Sequence, residues 1–181
     1  MAGTAPQAIH VWLGHGASGT AASMAPFVEG LRRRGLSADA VDLPKRRAED
    51  AVGVWRAAVP DGARTVAGGQ SYGGRVASLA AAAGAGYAGL VLFSYPLHPP
   101  GRPERTDARI AHWPSIACPV LLLSGEADPF ARIGLLRAAV RGLPNASLVT
   151  YPRLGHTLRP VLEDVLDRVR AFVDALPEHG T

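Results

Sequence analysis

The sequence predicts an α/β protein in which helices cover both faces of a parallel β-sheet. Short apolar runs alternate with longer Ala- and Arg-rich stretches of helical spacing, the pattern of successive βα units. Several of these runs are apolar throughout instead of at every second residue, as strands buried on both faces require. No repeat or low-complexity block interrupts the alternation along the 181 residues.

The elements follow in order. Residues 9–13 form the first expected strand, and a helix is expected over 20–34, between Gly19 and Gly35. A second strand at 38–41 precedes a helix at 48–59, closed by the turn pair Asp61–Gly62. The third strand, 64–67, leads into an Ala-rich helix at 72–83 that Gly84 stops. A fourth strand lies at 90–93. Residues 95–104 then carry four prolines, too rigid for a helix and too long for a simple turn, so a shaped surface loop is expected there. The fifth strand, 120–124, the helix 130–142, the turn Pro144–Asn145, the sixth strand 148–151 and a helix over 159–176 complete the chain.

Composition narrows the function. A chain of this length reads as one domain over residues 1–181, with 48% hydrophobic and 19% charged residues. Nineteen Lys and Arg against fifteen Asp and Glu give a net charge of +4, and Lys45 is the only lysine. The clusters Arg32-Arg33-Arg34 and Lys45-Arg46-Arg47 lack interleaved aromatics, so they read as solvated helix ends and no nucleic-acid partner is expected. Residues 76–93 carry no charge, but Gly84, Gly86 and Gly89 divide them into a helix and a strand, and no membrane partner is expected. Cys118 is the single cysteine and residues 1–14 lack a basic leader, which together predict a cytoplasmic protein. No His pair has metal-ligand spacing with a carboxylate, so neither a metal nor another cofactor is expected.

The sharpest motif is Gly69-Gln70-Ser71-Tyr72-Gly73, a G-x-S-x-G placed between an expected strand and an expected helix. A serine hydroxyl becomes a useful nucleophile when a tight turn projects it toward a base, and the flanking glycines admit close strand–helix packing. Its partners follow in the chain order Ser, acid, His. Asp128 lies in the turn after strand 120–124, and His156 in the turn after strand 148–151, so both sit at carboxyl ends of strands, the edge where Ser71 also lies. Glu126 is the competing acid. Taken singly, an Asp before Pro is a common turn former and a lone His a common surface residue; order and placement together make the triad reading. The backbone N–H of Tyr72 is the first expected oxyanion donor, and that of Ala17, in the loop after the first strand, the second. His15, Tyr95 and His98 are candidates for lining a substrate pocket, with Arg102 beside them; for the Pro-rich loop, stiffening is the competing role.

The same loop, Gly14-His15-Gly16-Ala17-Ser18-Gly19, is also a G-x-G-x-x-G, with Asp39 twenty residues beyond its last glycine and Asp42 just past the second strand. Dinucleotide binding through these residues is therefore a rival reading. Against it, bulky His15 sits where a pyrophosphate would pass.

Over nearly its whole length the chain resembles the α/β-hydrolase superfamily. The phrases Gly-Gly-Gln-Ser-Tyr-Gly-Gly-Arg from Gly68 to Arg75, Ser-Tyr-Pro-Leu-His-Pro-Pro-Gly-Arg-Pro-Glu from Ser94 to Glu104, and Gly-Glu-Ala-Asp-Pro-Phe from Gly125 to Phe130 are similar to a branch of small bacterial hydrolases. That branch is related to dienelactone-hydrolase-like proteins and to the testis-expressed and NSL-complex-subunit proteins of animals. The resemblance implies Ser71 as nucleophile, Asp128 as acid and His156 as base. It departs from the superfamily at the start, where the first strand already leads into the oxyanion loop, and in having no sequence for a cap domain. A minimal six-stranded sheet is thus expected, and right-handed crossovers give it the order 2-1-3-4-5-6. The function expected is that of a serine hydrolase cleaving a small-molecule ester, thioester or lactone through an acyl-enzyme. A non-catalytic interaction module on the same scaffold, with a protein partner, is the other alternative besides dinucleotide binding.

Overall fold

The computed structural model describes residues 8–177. Six parallel strands, β1 (His10–Gly14), β2 (Ser37–Val41), β3 (Thr65–Gln70), β4 (Gly89–Phe93), β5 (Val120–Gly125) and β6 (Ala146–Tyr151), form one sheet. The order is β2-β1-β3-β4-β5-β6, as expected. The helices are α1 (Ala25–Arg33), α2 (Ala48–Ala58), α3 (Tyr72–Ala82), α4 (Thr106–Ile110), α5 (Ile133–Val140) and α6 (Leu162–Asp174).

Side chains alternate across the strands and build two cores. Leu90, Leu92, Val120 and Leu122 face one way and pack with Trp55 of α2, Val76 and Ala80 of α3 and Leu136 of α5. Val91, Phe93, Leu121 and Leu123 face the other way, against Phe27 and Leu31 of α1 and Val165, Leu166 and Val169 of α6. Fully apolar strands are thereby used on both faces. The chain leaves β1 toward β2 on one side and continues from β3 on the other, so the carboxyl ends of β1 and β3 form the point where the winding reverses. Among the described residues no helix is long and apolar enough to cross a membrane.

Four of the differences from the expectation have a clear physical reason. β3 runs on through Gly68 and Gly69 to Gln70, although glycines end strands by propensity. A Cβ on Gly68 would lie 1.9 Å from the Val91 carbonyl oxygen, so tertiary packing requires the glycine that local preference disfavours. The first helix opens as a 3₁₀ turn at Ala21–Met24 before Pro26 starts the regular spiral. The fifth helix begins at Ile133, because residues 128–131 form a turn around Asp128. Beyond the proline-rich loop the segment to β5 also holds the short helix α4, too brief for a periodic pattern to show.

Candidate active site

Ser71 sits between β3 and α3 with φ 49° and ψ −108°, a conformation that costs a non-glycine residue about 1–3 kcal/mol. Neighbouring strands and the helix hold it there. Its N–H donates to the Phe93 carbonyl of β4 at 2.8 Å, and its own carbonyl accepts from the Arg75 N–H at 3.0 Å. The turn fits because the end of β1 and the start of α3 touch through backbone alone. A Cβ on Gly73 would lie 2.2 Å from the Gly14 carbonyl carbon, and the Gly73 N–H donates to the His15 carbonyl at 3.0 Å. The serine is consequently half-exposed at the carboxyl edge of the sheet.

His156 and Asp128 meet it there. Ser71 Oγ is 2.9 Å from His156 Nε2, and His156 Nδ1 is 2.8 Å from Asp128 Oδ2. The carboxylate is enclosed, and its second oxygen, Oδ1, accepts the Phe130 N–H at 2.8 Å. Both oxygens are therefore oriented, one by the imidazole and one by the turn that carries it. The His156 loop lies directly over the end of β5, where a Cβ on Gly125 would meet the Leu154 carbonyl oxygen at 2.2 Å. Phe130 covers the imidazole, with ring centroids 4.4 Å apart. Glu126, the competing acid, faces elsewhere: its Oε1 accepts from Thr150 Oγ1 at 2.8 Å and from the Arg137 guanidinium at 2.7 Å.

A cleft of about 540 Å³ opens over the serine, lined by Ala17, Ser71, Tyr72 and Phe130 together with Pro96, Pro99 and Pro100. Among the described residues the backbone N–H groups of Ala17 and Tyr72 have no hydrogen-bond partner, the Tyr72 one because it opens α3. The Tyr72 hydroxyl points back and donates to the Pro44 carbonyl at 2.7 Å; burial pushes its pKa up.

His15, Tyr95 and His98 do not line this cleft, and the expectation that they shape a substrate pocket is corrected. All three are buried. His15 Nδ1 donates to the Gly16 carbonyl at 2.7 Å while Nε2 accepts the Leu43 N–H at 2.9 Å, tying the loop after β1 to the loop after β2. His98 repeats the device. Its Nδ1 donates to the Pro99 carbonyl at 2.9 Å and its Nε2 accepts the Arg132 N–H at 3.0 Å, pinning the proline-rich loop to the Asp128 turn. Tyr95 stacks edge-on against Trp113 and donates its hydroxyl to the Arg109 carbonyl at 3.1 Å. The proline-rich loop thus contributes ring faces to the cleft, and its polar side chains hold it in place.

Residues invoked for a dinucleotide are engaged otherwise. Asp39 is 2.6 Å from the Arg32 guanidinium and 2.9 Å from His10, and Asp42 Oδ1 accepts the Ala21 N–H at 2.6 Å. Within the glycine loop the Gly19 N–H donates to the Gly16 carbonyl at 2.9 Å. Among the described residues no three His, Cys, Asp or Glu side chains are grouped to hold a metal ion.

Sequence reasoning missed the arginines of the cleft. Arg46, Arg47, Arg75, Arg105 and Arg109 all line it, with Glu49 as the single carboxylate. Buried Arg75 donates to Glu49 and, at 3.1 Å, to the Arg109 carbonyl. Burial opposes ionisation of Glu49, but hydrogen bonds from its own N–H and from Arg75 hold its carboxyl below the usual range. The available signal was the strand-end position of Arg46 and Arg47, which places them on the same edge as Ser71.

The family described as an alpha/beta hydrolase domain matches residues 43–173. The chain belongs to that family. The match takes in the serine turn, the Asp128 turn and the His156 turn. No curated protein sequence matches the chain. Among solved structures, the monoacylglycerol lipase of Paleococcus ferrophilus superposes with a TM-score of 0.77 at 14% identity, over 93% of this chain and 95% of the lipase. Esterase 2 of Thermogutta terrifontis, phosphorylated by paraoxon, gives 0.75 at 17% identity over 92% and 82%. Est1E of Butyrivibrio proteoclasticus, with ferulic acid bound, gives 0.74 at 19% over 94% and 89%. At such identities the likeness is one of fold, over 92–94% of this chain.

Proposed function

We propose that the protein is a serine hydrolase that cleaves a small ester, thioester or lactone through an acyl-enzyme. One observation carries this reading: an unbroken hydrogen-bonded chain from Ser71 through His156 to the enclosed Asp128, opening into a cleft. His156 Nε2 removes the hydroxyl proton as Ser71 Oγ attacks the substrate carbonyl. The N–H groups of Ala17 and Tyr72 receive the developing oxyanion, each donor worth about 2.7–4 kcal/mol in comparable sites. The imidazolium returns its proton to the departing alkoxide or thiolate, leaving Ser71 acylated. Water then repeats the sequence, giving its proton to Nε2 and releasing the acid. Throughout, Asp128 accepts from Nδ1–H and keeps Nε2 free to act as base.

A fluorophosphonate probe with intact-mass readout tests the proposal without a known substrate. The expected result is one adduct on the wild type and none on Ser71→Ala. A folded wild-type protein that stays unlabelled under conditions where an active esterase reacts would overturn it.

A further inference from the structure

We infer that the substrate carries an anionic group, a carboxylate or a phosphate, which the arginines of the cleft bind while Ser71 meets the ester. This inference rests on the hydrolase reading above and names its substrate class. Five arginines and one glutamate line the cleft, and that glutamate is already shared, bonded to Arg75 and 3.7 Å from Arg47. Among the described residues no carboxylate lies within 4.0 Å of Arg46, Arg105 or Arg109. The contrast with α1 and α6 is direct, where Arg32, Arg34, Arg168 and Arg170 each face a carboxylate.

Two of the five, Arg75 and Arg109, also sit where water is scarce. Arg109 is half-buried, and burial together with the neighbouring Arg75 lowers its pKa. Like charges held together at a partly dry surface disfavour the empty state, and an anion relieves them. Guanidinium groups suit this task, because their planar donors match carboxylate and phosphate oxygens in pairs. The space available, about 540 Å³, holds a metabolite-sized molecule. Its remaining walls, Pro96, Pro99, Pro100 and Phe130, give the uncharged part of the ester an apolar surface.

The test separates binding from turnover. Ser71→Ala protein is titrated, by NMR chemical shifts, with monomethyl glutarate, with 2-acetoxyethyl phosphate and with neutral dimethyl glutarate. At least one anionic ester is expected to bind about tenfold more tightly than the neutral one, or about 1.4 kcal/mol. The tighter of the two identifies carboxylate or phosphate as the group read. The preference should shrink in about 1 M salt, where the screening length is about 3 Å. It should also shrink in Arg46→Gln and Arg105→Gln, whose exposed side chains leave folding intact. Equal or tighter binding of the neutral ester, or a preference indifferent to salt and to both substitutions, overturns the inference. Fluorophosphonate labelling keeps the two readings apart. A labelled protein without anion preference is a hydrolase of neutral esters, and an unlabelled one with anion preference keeps the arginine site and loses the hydrolase.

Discussion

The two walls of the cleft are built by opposite means. On one side the serine turn and the loops after β1, β5 and β6 are set by backbone meeting backbone, as where Gly73 lies against Gly14 and Gly125 against Leu154. On the other, arginines from the loop before α2, from α3 and from the α4 region converge, tied by Arg75 to Glu49 and to the Arg109 carbonyl. The first wall has one permitted shape. The second is a set of long side chains whose charge, more than whose position, defines it. Catalytic geometry tolerates little displacement, whereas attraction of an anion works over several ångströms, so the two proposed tasks ask for different precision.

Substitutions on the rigid wall should have the largest effects. Asp128→Asn keeps the shape of the turn but presents an amide to His156 Nδ1, favouring the tautomer that cannot take the serine proton. Ester hydrolysis is expected to fall by about 10⁴ in kcat with KM little changed, measured by initial rates on a p-nitrophenyl ester. A fall below tenfold would mean that the carboxylate is not the orienting group.

Next in size is the backbone contact. Gly73→Ala drives a methyl into the Gly14 backbone, which no rotamer change relieves, and should cost about 3 kcal/mol or more, or prevent folding. Gly53→Ala, on the exposed face of α2 with nothing within 4 Å, should instead gain about 0.5–1 kcal/mol from helix propensity. Denaturant titration of the pair reads both signs. Equal effects would show that the glycine contact does not constrain the fold.

The smallest effect belongs to the arginine wall and is a matter of protons. His112, bonded to Ser78 of α3 at 2.9 Å, has its pKa pushed down to about 4 by burial first and by the Arg75 charge second. Between about pH 6.5 and 4 the unfolded chain therefore holds a proton that the folded chain refuses. Stability should be whole above that window and decline as the pH falls through it. Replacing His112 with Gln should flatten the dependence of Tm on pH over this range. An unchanged slope would place the titration elsewhere.

Much of the fold was legible because its signals are local. Apolar runs long enough for a strand, helices ended by Gly35 and Gly84, and a G-x-S-x-G between strand and helix each record a backbone requirement that only certain residues meet. Strand order followed from crossover handedness, and the strand-end positions of Ser71, Asp128 and His156 from the parallel sheet. Tertiary structure decided the rest. It carried β3 through two glycines that propensity disfavours, because β4 approaches Gly68 and β1 approaches Gly69 too closely for a side chain. It turned His15 and His98 inward as loop ties, since a buried imidazole can bond a carbonyl and an N–H at once, a role no sequence pattern marks. It also gathered Arg46, Arg75 and Arg109, up to 63 residues apart in the chain, into one cleft. Spacing along a chain reports the periodicity of helices and strands, while the meeting of distant side chains is fixed only when the sheet closes the distance between them.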